Sequence, residues 1–360
     1  MQANISTRVA FYSILTVLAV MLFIAAAYVN HSLVQKYRAE LLNDTRTHLS
    51  LYHNRLFTNL QNHIQIVRGL PGLFAINPDL TQEQYARAVA HLVNSESEIR
   101  NIAAAPDMVI RYMYPMEGNE AALGLDYSQE PSQFEAADRA RRTGNLVLAG
   151  PVALKQGGMG LITRIPVFLQ REDNDEVYFW GLVSAVIDIQ RFFEKSGLLD
   201  DQMPINLAIR GADSLGRLGE VFYGDPALFD DNSLIQTLKL PEGEWLLAAE
   251  PVDGWSQLPP NFWQQRILIY GVASALFLLL ALFIRFIFAA SLANIKFRNL
   301  IESSPVPYML LNENKQISFI NQAFTDTYGY DLEEIQSMNS WWEMTTQPKY
   351  YSHEFRLFAI

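Results

Sequence analysis

The spacing of apolar residues changes character several times along the chain. Residues 9–29 run without a charge, and residues 267–284 form a second uncharged run of 18. Each is long enough to cross a hydrocarbon core of about 30 Å as a helix, so membrane spans are predicted at 9–29 and 265–288. Between them the first pattern is helical. Apolar positions fall at Leu33, Tyr37, Leu41, Thr45, Leu49, Tyr52, Leu56, Leu60, Ile64, Val67 and Leu70, a step of about 3.7 residues. No Gly or Pro interrupts before Gly69, which predicts a stalk helix over 30–70, continuous with the first span. A row at sevens, Leu42, Leu49, Leu56, His63 and Leu70, marks a homodimer seam through the stalk. The alternative is that the same face packs on its own domain.

Thr81 is placed to cap a second helix reaching Val93, with Glu83 in its first turn, where the helix dipole favours a carboxylate. The period then shortens. β-rich runs at 108–114, 146–154, 161–169 and 177–187 are bounded by Pro, Gly or Asp, with a helix over 132–142 among them. A helix over 189–195 separates these from a second set at 205–209, 221–223, 234–240 and 245–252. Runs of strands with few crossover helices predict an α+β fold with antiparallel sheets, in subdomains at 71–195 and 196–264.

Charge follows the same division. Residues 30–265 hold 19 Lys/Arg and 30 Asp/Glu, which carries the whole net charge of −11. An acidic interval repels phosphates, so nucleic acid is excluded as a partner. With no cysteine, disulfide frameworks, thiolate metal sites and thiol catalysis are excluded together. Arg8 precedes the first span, and Arg285, Lys296 and Arg298 follow the second. This bias predicts two cytoplasmic ends (1–8 and the segment after the second span) and a loop outside, in the periplasm or its equivalent; the location expected is a bacterial inner (plasma) membrane. Ala25, Ala26 and Ala27 offer a cleavage site, but the apolar run is longer than a signal-peptide core, so an uncleaved anchor is expected.

No enzyme signature emerges. The histidines include no i, i+4 pair of the kind a helical zinc site needs, and there is no nucleophile elbow, Walker loop or H-E-x-x-H. Gly157, Gly158 and Gly160 join two strands with no helix N-terminus behind them, and read as a hairpin turn. Asp173, Asp175 and Glu176 read as a solvated loop. The expectation is no catalytic residue, no metal and no cofactor. A membrane-anchored periplasmic enzyme remains the rival class, and would need His and carboxylates converging on one cleft.

Residues 106–168 carry Pro115, Gly118, Asn119, Gly124, Asp126, Thr143, Gly144, Pro151, Gly160, Pro166 and Val167. Their order resembles the CHASE domain, the extracellular sensor module of cytokinin receptors and many bacterial signalling proteins. The resemblance implies a long helix followed by two PAS-like subdomains, with a small-molecule pocket in the membrane-distal one. It implies Asp126 as the ligand-reading aspartate on a purine's N–H edge. It also implies Leu148 as the position whose backbone faces the ring, and Thr143 as a supporting hydroxyl. The chain departs from the plant pattern at Arg164, where the family has a smaller polar residue. An inward guanidinium there makes a carboxylate or phosphate ligand more attractive than a neutral adenine derivative.

After the second span, residues 289–304 keep helical composition as a linker helix, and Pro305 stops it. A strand, a turn at 312–315, a second strand and short helices around Gly329 and Asp331 are predicted next. Asn321, Phe324, Gly329, Tyr330, Glu333 and Glu334 resemble the first half of a PAS domain. Residues 305–360 are too few for a complete one, so an open half-sheet carrying Trp341 and Trp342 is expected, unstable by itself.

Together these readings predict a ligand-gated transmembrane sensor. Its output, a histidine kinase or a cyclic-di-GMP enzyme, is expected outside these residues. Two ligand classes stay open: an adenine or cytokinin-like compound read by Asp126, and the amino or organic acid of a double-PAS, Cache-like sensor, for which Arg164 is the discriminating residue.

Overall fold

The computed structural model describes residues 2–93, 97–171, 175–230, 232–314 and 316–346. Helix α1 (Gln2–Arg68) runs unbroken through the first apolar run and the predicted stalk. The chain divides into two compact units, residues 33–260 and residues 1–32 with 261–360.

The 33–260 unit contains two antiparallel sheets. Strands β1 (Ile99–Pro106), β2 (Tyr112–Tyr114), β3 (Val147–Ala153), β4 (Met159–Gln170) and β5 (Val177–Asp188) form the first, in the order β2-β1-β5-β4-β3. Strands β6 (Ile205–Arg210), β7 (Val221–Tyr223), β8 (Leu234–Leu240) and β9 (Gly243–Pro251) form the second, in the order β7-β6-β9-β8. Short helices α2 (Pro71–Ile76), α3 (Gln82–Val89), α4 (Pro131–Thr143) and α5 (Ile189–Lys195) complete the unit.

One face of α1 supplies core to both sheets. Leu49, Tyr52, Leu56 and Leu60 pack with Phe192, Ile205, Leu207, Trp245 and Leu247. One turn further on, Ile64, Val67 and Leu70 pack with Ile102, Ala104, Val183 and Ala185 of the five-stranded sheet. Burying each such Leu or Ile contributes about 1.5–3 kcal/mol. This corrects the dimer seam. Leu49, Leu56, His63 and Leu70 are all buried within their own chain, and Leu42 alone of that row is exposed.

Helix α3 starts as expected. Thr81 accepts from the Gln84 N–H while the Gln84 side chain accepts from the Thr81 N–H, a reciprocal capping box. Strand β1 was not predicted, because its sequence, IRNIAAAP, is alanine-rich. It is buried at every position except Arg100, so no alternation marks it. The predicted strand at 108–114 shrinks to β2, because Asp107 and Met108 take φ of 48° and 70° in the turn between β1 and β2. The glycine-rich stretch forms the β3–β4 hairpin turn, in which Leu154 N donates to Gly158 O and Gly157 N to Leu154 O.

In the other unit, α6 (Phe262–Glu302) is one helix where a span and a separate linker helix were expected. It has no buried residue, and Leu278, Leu279 and Phe283 are all exposed. Both α1 and α6 are long and apolar enough to cross a membrane, and their rings meet at Phe11–Phe288 (5.4 Å) and Phe23–Tyr270 (6.1 Å). A hairpin of β10 (Met309–Leu311) and β11 (Ile317–Ile320) follows, then α7 (Gln322–Tyr328) and α8 (Met338–Thr346). Trp341 is not bare as expected: its ring packs 5.0 Å from Phe324 and 5.2 Å from Tyr328. Trp342 is exposed.

Asn321 organises this hairpin. Its Oδ1 accepts from Tyr308 N at 2.8 Å and caps α7 through Phe324 N at 3.0 Å. Its Nδ2 lies 2.9 Å from Ile301 O, at the end of α6, and 2.8 Å from Val306 O.

Candidate functional site

The five-stranded sheet has two different faces. Odd positions of β4, such as Leu161 and Val167, face the α1 side. On the other face, one row crosses all five strands: Val147, Arg164, Ser184, Ala103 and Met113 are paired in register. Small residues dominate this side. Ala103, Ala105 and Ala149 of the sheet meet Ala136, Ala137 and Ala140 of α4 and Tyr127 in the preceding turn. The missing side-chain volume lets α4 lie close and leaves room for one long polar group.

That group is Arg164, which is fully buried. Its Nη2 donates to Gln133 Oε1 on α4 at 2.5 Å, and the guanidinium carbon lies 4.9 Å from the centre of the Tyr127 ring. Among the described residues Nε and Nη1 have no hydrogen-bond partner, and neither has the buried Ser184 Oγ in the same row. Burial pushes the guanidinium below its ordinary value, while Tyr127 and Asp213 favour the charged form. Arginine stays protonated in proteins, so the row holds a positive charge with two unused donors. A carboxylate can accept from both in a bidentate pair.

Two neighbouring amides extend the polar surface. Asn101 Nδ2 donates to Asn119 Oδ1 at 2.8 Å, and Asn101 Oδ1 is buried without a partner among the described residues.

The structure does not bring the four sequence-predicted residues together. Asp126 is half-buried, and its Oδ1 already accepts from Ser128 N at 2.8 Å and Ser128 Oγ at 2.7 Å, the geometry of a turn cap. Thr143 is exposed at the end of α4, where its Oγ1 accepts from Asn145 N. The Leu148 side chain packs in the α1-side core, opposite Arg164, and its carbonyl accepts from Ser214 Oγ at 2.6 Å. Arg164 alone points into a polar cluster. Gln133, Tyr127 and Ser184 were missed. Gln133 had a signal, since it sits on the alanine stripe of α4 where a solvated side chain does not belong.

A second polar cluster joins α1 to the start of β1 and to α5. Buried Glu98 receives Lys195 Nζ at 2.8 Å and His63 Nε2 at 3.2 Å, and His63 Nδ1 lies 2.7 Å from Asn59 O. A groove of about 520 Å³ runs past these groups and Arg55. Among the described residues no group of three or more His, Cys, Asp or Glu could hold a metal ion. Asp173 of the expected solvated loop lies outside the described residues.

Compared with protein families, residues 54–223 match the CHASE domain and residues 295–357 match a PAS domain. No curated protein matches the chain in sequence. Among solved structures it is similar to the extracellular ligand binding receptor from Desulfohalobium retbaense. There the identity is 15% and the TM-score 0.45, over 57% of this chain and 40% of that one. It is also similar to the ligand-binding domain of the Pseudomonas aeruginosa amino acid chemoreceptor PctB in complex with L-Gln. That match has 12% identity and a TM-score of 0.48, over 65% of this chain and 98% of that one. A third is the periplasmic domain of RsbU from Chlamydia trachomatis, at 13% identity and a TM-score of 0.37, over 61% and 96% of the two chains.

Proposed function

We propose that this chain, whose residues 54–223 match the CHASE domain and residues 295–357 a PAS domain, is a two-pass membrane sensor whose ectodomain binds a small carboxylate at Arg164. The observation that carries the ligand class is the buried guanidinium whose Nε and Nη1 find no partner among the described residues. Leaving charged donors unsatisfied in a protein interior costs several kcal/mol, and a bidentate carboxylate removes that cost. Ser184 Oγ, next to Arg164 in the row, supplies a further donor, and Gln133 holds Nη2. Amino acids and short organic acids are the ligand class that this arrangement fits. The purine reading depends on Asp126, whose Oδ1 is already engaged by Ser128.

In this reading the apolar runs of α1 and α6 are the two spans. Residues 33–260 lie outside the cytoplasm as two PAS-like subdomains, with the five-stranded sheet distal to the membrane. Ligand binding biases one of two arrangements of the helices, and the PAS segment passes that state to a cytoplasmic output, a histidine kinase or a cyclic-di-GMP enzyme. A homodimer is the assembly that such a relay suits.

The test uses the full chain in nanodiscs, with thermal unfolding and calorimetric titration against L-amino acids, acetate, succinate, inorganic phosphate and isopentenyladenine. At a hundredfold excess over Kd a ligand adds about 2.7 kcal/mol, which raises the unfolding midpoint by about 5–10 °C for a unit of this size. A carboxylate is expected to give that shift, and Arg164→Met to abolish it. Binding of the purine alone, or carboxylate binding that survives Arg164→Met, sinks the reading.

A further inference from the structure

Strand β3 is the last strand of the five-stranded sheet, so among the described residues its outward N–H and C=O groups have no neighbouring strand. Two side chains from the other sheet take that place. Gly150 N donates to Asp213 Oδ1 at 2.7 Å, and Ser214 Oγ donates to Leu148 O at 2.6 Å. Leu148 and Gly150 are two residues apart and present their main-chain groups to the same edge. Asp213 and Ser214 therefore cap the edge as a short strand would. Arg139 Nη2 of α4 holds the Asp213 carbonyl from above at 2.5 Å.

These two residues belong to the turn Ala212–Ser214, between β6 and β7 of the four-stranded sheet. Both sit in the left-handed region, at φ of 56° and 63°, which non-glycine residues enter only when their surroundings hold them there. β9 holds them from behind. Gly243 comes so close that a Cβ on it would lie 2.0 Å from Ser214 O, and Leu215 bridges to Glu244. The finger is thus fixed at both ends, on β3 and on β9. Val147 of the same β3 pairs with Arg164, three residues before Gly150.

We propose that the Asp213–Ser214 finger is the coupling element between the two sheets: a change in the state of Arg164 shifts β3, and the finger carries that shift into β6 and β9. The proposal rests on the reading of Arg164 as the ligand anchor. Asp213 is a positioning residue in it and touches no ligand.

The experiment replaces the ligand with a substitution, so it does not depend on knowing the ligand. Amide hydrogen exchange is followed by mass spectrometry on the full chain in nanodiscs. Arg164→Met is expected to change exchange in β3 and, at least threefold, in peptides covering β6 and β9. In the Asp213→Ala background the β3 change persists and the β6 and β9 change is lost. Asp213→Asn, which keeps an Oδ1 acceptor, restores it. A finger that only stabilised the fold would raise exchange generally and leave the response to Arg164→Met in place. The proposal is overturned if β6 and β9 respond undiminished in Asp213→Ala, or if Arg164→Met leaves either β3 or the second sheet unchanged in the parent chain. Ser214→Ala removes the second anchor and gives the same reading if Asp213→Ala does not fold. Intact coupling in a chain that binds no carboxylate leaves the finger standing while the ligand assignment falls.

Discussion

Arg164 is held in a place where an apolar residue of similar length would cost less. Exchanging a buried, incompletely paired ion for a hydrophobic residue is often stabilising by 1–4 kcal/mol. Arg164→Met is therefore expected to raise the unfolding midpoint of the ligand-free chain by about 2–4 °C per kcal/mol gained. A marked fall in the midpoint would mean that the guanidinium is structural. Asp138 shows the opposite case, a carboxylate well served at the surface. Arg141 and Arg142 bond it at 2.6 Å and 2.8 Å and hold its carboxyl below the ordinary value of 3.8. A depressed carboxyl stabilises the fold fully above its unfolded value, and that contribution is lost as pH falls through the folded value. The midpoint gap between wild type and Asp138→Asn should be full at pH 7 and narrow progressively as pH falls below the ordinary value of 3.8; a gap that does not change with pH would contradict the assignment. Arg164 stood out in the sequence as a departure from the smaller polar residue of the family pattern it otherwise resembles. Asp126 is harder to read, because a carboxylate that serves a remote ligand and one that caps its own turn, as its Oδ1 does here, have the same local sequence.

At the scale of elements, the strongest local signals gave the most accurate boundaries. The capping box at Thr81 and Gln84 sets the start of α3, and Thr81→Ala is expected to cost about 1 kcal/mol, read as a lower urea midpoint. Leu56 of α1 is fully buried between the helix and the four-stranded sheet. Leu56→Ala should cost about 2–5 kcal/mol, whereas a residue at a dimer seam would be partly exposed in the single chain and would cost less on dilution. Helical periodicity showed that α1 has one apolar face but not what covers it, since a partner helix and the chain's own sheet demand the same spacing. Strand β1 was illegible for a related reason. A central strand buried on both faces needs no alternation, and its alanines carry no strand preference. Those alanines make the space that Arg164 and α4 occupy, so the residues that hid the strand are part of what builds the site.

For the whole molecule, charge sets residues 30–265 apart from the two apolar runs, and the compact unit at 33–260 falls within that interval. The candidate site was less legible, because it depends on register. Arg164 and Ser184 are 20 residues apart, and only the pairing of β4 with β5 makes them neighbours. The proposed topology is open to labelling with a membrane-impermeant thiol reagent in a chain that has no native cysteine. Asp230→Cys should label in intact cells and Ser303→Cys only after lysis, and the reverse pattern would overturn the orientation. For the proposed homodimer, Leu51 and Phe57 of α1 are exposed. Disulfide crosslinking of Leu51→Cys or Phe57→Cys between chains should succeed where Leu49→Cys and Leu56→Cys do not; crosslinks at the buried positions alone would return the seam to the row at sevens.

Asn321 bonds the last turn of α6 and the strand hairpin through one side chain, which leaves no slack between them. Each residue added to a helix turns its end by about 100° and advances it 1.5 Å. Insertions into α6 ahead of Ile301 should therefore act through their phase. Seven added residues, close to two full turns, present the PAS segment at nearly its original angle, while two or five leave it well out of register. Where this segment governs an output, activity should rise and fall with the helical repeat of the insertion, as a screw thread does, and should not decline steadily with its length.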